Sequence, residues 1–248
     1  MKTSQQWFEY FKGNLKKERV DWQQKPKLTD KELNTILKSM QAWQLGETSD
    51  GSNLLKASAS YAQKIDDDSY VKAVTLFIKE EQKHGNNLGK YLDSIGQPRI
   101  QRDLGDSLFR KIRYFNANME LWTLAVISVE STAQIFYQSL RQATGCNLLR
   151  QICTDILIDE AAHIQFQAER LAIIYHSKNW VWKSLTFYAY KYFYFSTAFV
   201  VWFAHRRVFK AGGNNLASYH RKMTFKFNKI AQHLNRKNYE THALQAVW

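Results

Sequence analysis

Apolar residues recur in steps of three and four along several long stretches of the chain, the spacing of helices that bury one face. One seam runs Leu149, Cys153, Ile156, Glu160, His163, Gln167, and another runs Tyr70, Val74, Phe77, Glu81, His84, Leu88. In both, a Glu and a His stand where a core-facing helix ordinarily carries Leu or Ile. Thr29-Asp30-Lys31-Glu32 has the form of a capping box and predicts the start of a first long helix, which carries Leu33, Ile36, Met40 and Glu47 and ends near Lys64. Asp66, Asp67 and Asp68 start a second helix running toward Ser94 and stopping at Gly96-Gln97-Pro98. A third covers roughly Phe115 to Ala143 with Gly145 as its stop, and a fourth Asn147 to His176. The charged stretch from Arg99 to Arg113 reads as the crossover that carries an antiparallel bundle from one end to the other. The pattern predicts an all-α chain with a four-helix bundle over about residues 29–177.

Glu-x-x-His is one helical turn, so its side chains project from one face with Cβ atoms about 5–6 Å apart, close enough to bind one metal ion or two adjacent ones. A single copy is weak, because solvated helix faces produce it by chance. Here Glu81-Gln82-Lys83-His84 and Glu160-Ala161-Ala162-His163 both lie inside apolar seams. A di-metal bundle of this kind also needs one carboxylate from each of the other two helices. Glu47 and Glu130 meet that need. Glu130 is the sole charged residue between Leu121 and Ile135, whereas Glu47 shares its surroundings with Asp50 and Gly51, where a loop or a kinked helix fits. Four carboxylates in one apolar bundle lose hydration at a cost of several kcal/mol per ion. Two divalent cations would cancel their charge and leave two neutral imidazoles as the remaining ligands; without metal, the carboxyl pKa values should be raised. The plainer alternative, solvent-facing acids and satisfied core histidines, has to account for all six positions at once.

These motifs resemble those of the ferritin-like di-iron carboxylate superfamily. The resemblance rests on Gln44-Leu45-Gly46-Glu47, on Phe77-Ile78-Lys79-Glu80-Glu81-Gln82-Lys83-His84 and on Asp159-Glu160-Ala161-Ala162-His163, and spans about Trp7 to Arg170. It implies metal ligands at Glu47, Glu81, His84, Glu130, Glu160 and His163, and places Glu80 and Asp159 as partners of the ligand histidines. The implied cofactor is two iron ions, with manganese or a mixed Mn/Fe pair also compatible with the ligand set. The implied activity is that of a non-haem di-iron oxidase or oxygenase using O2 and an electron donor on a small-molecule substrate. An iron-oxidising or metal-binding protein without organic substrate is the alternative, since this fold hosts many reactions. Tyr137, two turns beyond Glu130, faces the same side, as a core residue or as a redox partner of the site.

From Asn179 to Phe209 aromatic residues crowd the chain, among them Trp180, Trp182, Tyr188, Tyr192, Phe199 and Trp202. Ser184 to Ala204 is long enough to span a bilayer, but Lys191 near its middle costs about 2.5–3.5 kcal/mol on insertion scales. A fifth helix covering the bundle is the expectation, with Phe199 and Trp202 as candidates for the wall of an apolar access route. Gly212-Gly213 ends it and a basic helix follows to about Arg236, so this C-terminal region covers residues 179–236.

With 45% hydrophobic residues, two prolines and ten glycines in 248 residues, no linker interrupts what reads as one domain over residues 1–248. The net charge of +13 comes without a nucleic-acid motif, so no nucleic-acid partner is expected. His205-Arg206-Arg207 beside the aromatic segment is compatible with peripheral contact to a membrane, and a homodimer is also left open. Met1 to Val20 lacks the apolar run of a signal peptide and reads as an arm packed on the bundle, dispensable to metal binding. Cys146 and Cys153, two helical turns apart, are too distant to bridge, and a reducing cytoplasmic setting fits.

Overall fold

The computed structural model describes residues 1–102 and 118–234. Among them it holds eight helices and no strand: α1 (Ser4–Asn14), α2 (Asp30–Glu47), α3 (Ser52–Ile65), α4 (Asp68–Ser94), α5 (Met119–Gln142), α6 (Asn147–His176), α7 (Trp180–Ala211) and α8 (Leu216–Leu234). Helices α2, α4, α5 and α6 form the frame around the two apolar seams, whose residues Tyr70, Val74, Phe77, Leu88, Leu149, Cys153 and Ile156 are all buried. The most extensive packing is that of α5 on α6, and α7 lies against α5 and α2.

The capping box at Thr29 forms in both directions, with Thr29 Oγ1 accepting from the Glu32 amide at 3.3 Å and Glu32 Oε2 accepting from the Thr29 amide at 2.8 Å. The other oxygen of Glu32 accepts from the Gly145 amide at 2.6 Å and so ties the start of α2 to the turn between α5 and α6. The expected single helix from Thr29 to Lys64 is instead two. It breaks after Glu47, where the Thr48 hydroxyl bonds back to the Leu45 carbonyl and Gly51 adopts φ +67° to start α3. A side chain at Gly51 would collide with Ile78, its Cβ lying 2.7 Å from that residue, so sterics and backbone both require glycine there. Gly85 solves a different problem, because an added Cβ would stand 2.7 Å from Thr48 and 3.1 Å from the Glu47 carbonyl carbon. Its bare backbone lets α4 approach the end of α2 and fixes where Glu47 sits.

The third expected helix begins at Met119; its proposed start at Phe115, and most of the crossover between Arg99 and Arg113, fall outside the described residues. It ends at a cap on Ala143, with Gly145 two residues past it. The fifth helix is capped by Asn179, ends at Gly212 and bends at His205, whose backbone is non-helical at φ −119°, ψ 18°. Lys191 is exposed on it. No helix among the described residues is long and apolar enough to cross a membrane. The basic helix runs to Leu234, with Arg236 outside the described residues. Cys146 and Cys153 are free and buried.

Candidate metal centre

Four helices deliver the six sequence-predicted residues to one place. Glu47 is the last residue of α2, Glu81 and His84 are one turn apart on α4, Glu130 lies mid-way along α5, and Glu160 and His163 are one turn apart on α6. Ligand atoms of Glu47, Glu81, His84 and Glu160 all lie within 4.8 Å of one another, and those of Glu81, Glu130, Glu160 and His163 do the same. Glu81 and Glu160 belong to both groups. The arrangement therefore has two poles, each with one imidazole and one private carboxylate, and two carboxylates shared between them.

The donor atoms are turned inward and left without hydrogen bonds. Glu81 Oε1, Glu130 Oε2, Glu160 Oε2, His84 Nδ1 and His163 Nδ1 are buried and have no hydrogen-bond partner among the described residues. His163 Nδ1 stands 2.8 Å from Glu81 Oε1 without the alignment of a hydrogen bond. Orphaned polar atoms of this kind are costly in a core, and five converging on one spot fit a cation pair.

The outer nitrogen of each imidazole is occupied, and the pairing is crossed. His84 Nε2 donates to Asp159 Oδ2 at 3.2 Å, and His163 Nε2 donates to Glu80 Oε2 at 2.9 Å. Each acid sits beside a glutamate of its own motif and holds the histidine of the other. Burial would raise the Asp159 pKa, but the bond from His84, its charge, Asn14 and Lys83 outweigh it and hold the carboxyl well below its usual range. Asp159 is thus an acceptor, the proton of His84 sits on Nε2, and Nδ1 is the atom left to face the centre.

Beneath these acids lies a network that comes partly from the N-terminal arm. Asn14 Nδ2 donates to Glu80 Oε1 and Asp159 Oδ1, each at 2.8 Å. Arg19 reaches Asp155 at 2.5 Å and Asp159 at 3.0 Å, and Lys83 Nζ approaches Asp155 at 3.0 Å and Asp159 at 3.4 Å. Phe11 of α1 packs with its ring centre 5.9 Å from that of His163. The arm expected to be dispensable is joined to the supports of both histidines. Nothing in the sequence pattern singles out Asn14 or Arg19; Asp155, one turn before Asp159 on α6, is the one member that helical spacing could have suggested.

Desolvation dominates the titration of the centre itself. Burial and the neighbouring Glu81 charge push Glu47 up to about 8, partly offset by His84 and by Tyr137, whose hydroxyl donates to Glu47 Oε1 at 2.7 Å. Glu130 is raised by burial, with His163 opposing. For His163 burial works downward, yet Glu81, Glu130 and Glu80 more than offset it and leave the imidazole well above its ordinary value. Protons thus take up part of the charge that two cations would neutralise. Tyr137 packs in the core on Trp43 and Phe136 and bonds to Glu47 at the same time.

A cavity of about 450 Å³ opens onto Glu47, Glu81, Glu130 and Glu160. Its walls are mainly apolar, with Trp43, Phe77, Trp122, Val129 and Val201 among them, and its lining also includes Ser49 and Asp50 from the break between α2 and α3 and Ser52 and Asn53 from the start of α3. The aromatic helix α7 supplies one wall, as expected, but through Val200, Val201, Ala204 and His205. Phe199 is exposed instead, and Trp202 is buried against Phe209 and Tyr219. Placing them in the wall missed the face: the cavity-facing residues are the small neighbours of those rings.

No family model matches the chain, and no curated protein does. Solved structures do. The chain is similar to variants of an R2-like ligand-binding oxidase with a reconstituted Mn/Fe cofactor: one superposes with a TM-score of 0.71 at 18% identity over 95% of this chain and 94% of that one. A second gives 0.69 at 15% identity over 95% and 98%, and a third 0.66 at 17% identity over 95% of each. The fold is accordingly the ferritin-like helical bundle of those oxidases.

Proposed function

We propose that this protein is a non-haem di-metal oxidase or oxygenase that uses O2 on an apolar organic substrate, carried by one ferritin-like domain. The observation that carries the reading is that the four clustered glutamates line a cavity whose other walls are mainly apolar. A plain iron-oxidising centre has no use for such a chamber. The metal ligands would be Glu47 and His84 at one pole, Glu130 and His163 at the other, with Glu81 and Glu160 between them. Two irons, or a manganese and an iron, suit this donor set, and the Mn/Fe cofactors of the similar oxidases support the choice.

When bound, the metal pair would supply the reduction of O2. The chain's own residues prepare the ground for it. Asp159 and Glu80 keep the protons of His84 and His163 on Nε2, so that both Nδ1 atoms remain free. Tyr137 holds one oxygen of Glu47 by its hydroxyl and leaves the other to the centre. Trp43, Phe77 and Trp122 exclude water from the space in which substrate would sit. Reducing O2 fully to water takes more electrons than one substrate oxidation releases, so an electron donor completes the cycle. The two free thiols suit a reducing cytoplasm.

Aerobic oxidation of protein loaded with iron(II), followed by oxygen electrode with and without a panel of apolar compounds, tests the reading. Substrate-dependent O2 uptake with an oxidised organic product supports it. Oxidation of iron to the same extent and rate whatever compound is added would favour an iron-oxidising protein instead.

A further inference from the structure

The outer face of α7 is the largest feature that the metal centre leaves unexplained. Val181, Leu185, Tyr188, Tyr192, Phe199 and Phe203 are all more than 40% exposed, at 44, 55, 58, 75, 59 and 47%. At about 100° per residue they fall within an arc of about 60°, so they form one stripe running most of the helix. The opposite face of the same helix is buried through Tyr190, Tyr194, Ala198, Val201 and Trp202. A helix that is apolar on its inner face needs no second apolar face for folding, and exposed apolar patches of this extent mark a contact surface.

Charge identifies what the stripe meets. From Leu171 to Leu234 the sequence has no Asp or Glu but ten Lys and Arg residues. Of these, Lys178 is paired with Glu120 at 2.8 Å. Lys191 lies beside the stripe, Arg206, Arg207 and Lys210 follow its end, and among the described residues none of these four has an acidic partner. Two copies meeting through this face would bring like charges together. A negatively charged surface with an apolar interior meets both requirements.

We propose that the exposed stripe of α7, with its flanking lysines and arginines, lies in the plane of an anionic lipid bilayer. Helices that dock this way combine an apolar face in the acyl boundary with cations at the headgroups. The placement also gives the cavity a source of substrate, a consequence that rests on the proposed function: Val200, next to Phe199, is 42% exposed and also lines the cavity. An apolar compound could pass from the bilayer to the centre along that side of α7 without crossing water.

The test is flotation of the full, metal-loaded chain with vesicles of phosphatidylcholine, alone or containing phosphatidylglycerol, without substrate. The expected result is binding that requires phosphatidylglycerol and weakens with salt. Arg206→Gln and Arg207→Gln should each lower affinity about fivefold, and the pair Tyr192→Ser with Phe199→Ser about tenfold or more, with metal content and circular dichroism unchanged because all four side chains are exposed and outside the cavity. Equal flotation with both vesicle types, no flotation, or unaltered affinity in the Tyr192/Phe199 variant overturns the proposal. So does light scattering that finds a dimer dissociated by the same pair of substitutions, or binding to a single-stranded oligonucleotide lost with them. Because the readout needs no turnover, its failure leaves the oxidase reading intact, and failure of that reading leaves lipid docking intact.

Discussion

Asp159 is adjacent to Glu160 on α6, yet it serves the other helix: its Oδ2 accepts from His84 Nε2 at 3.2 Å across the bundle. With the matching bond from His163 to Glu80, the two motifs are interlocked, and neither histidine can be oriented by its own helix alone. Removing Asp159 therefore acts at a distance. Asp159→Ala should weaken metal binding about 10–100-fold and destabilise the fold by about 3 kcal/mol or more, since Arg19 and Lys83 lose one of their two buried acids. Metal titration and thermal unfolding of the variant check both.

The position of Glu47 depends on the close approach of α4 to the end of α2. Gly85→Val should push the backbone at Glu47 and Thr48 away, because even a Cβ there stands 2.7 Å from Thr48. Metal occupancy should fall while the far-ultraviolet circular dichroism stays helical. Unchanged occupancy would mean that Glu47 is not needed for binding.

Filling the cavity should separate substrate from metal. Ala204→Trp places a large ring at the α7 wall while leaving the six clustered residues themselves unchanged. The expected outcome is full metal content, intact O2 uptake by reduced protein alone, and at least about tenfold loss of turnover on the substrate found in the panel. Loss of metal instead would show that α7 supports the centre rather than the chamber.

A pH effect should arise away from the centre. Burial, reinforced by Lys229 and Lys222, holds Lys226 down to about 8, so the fold disfavours its charged form. Below pH 8 both folded and unfolded chains carry the proton and the fold bears the whole cost. Between about 8 and the ordinary lysine range near 10.4 the unfolded chain holds a proton the folded one has lost, so stability rises with pH. Lys226→Met should thus raise stability near pH 7 by about 1 kcal/mol and flatten the rise above pH 8, measured by denaturant unfolding across that range.

The bundle and the six clustered residues were legible because each obeys a local rule. Helical spacing marks the seams, and a Glu or His inside a seam stands out against Leu and Ile; Glu130 is conspicuous as a lone charge in an apolar run. The break after Glu47 was harder, since Gly51 is forced by contact with Ile78 on another helix. Asn14 and Arg19 were illegible for the same reason. Their partners Glu80, Asp155 and Asp159 lie more than sixty residues away, and an exposed-looking Lys/Arg-rich stretch such as Lys16 to Arg19 carries no mark of a buried appointment. Which side of α7 faces the cavity was misjudged because that helix is aromatic all round, so periodicity could not tell its inner face from its outer one.

Metal analysis of the purified chain after loading with iron(II), or with manganese(II) and iron(II) together, tests the central claim most directly. The expected result is two metal ions per chain, with Glu81→Ala and Glu160→Ala each depressing both because these carboxylates lie in both groups, and Glu47→Ala depressing chiefly one. Full metal content in both Glu81→Ala and Glu160→Ala would contradict the assignment of the centre.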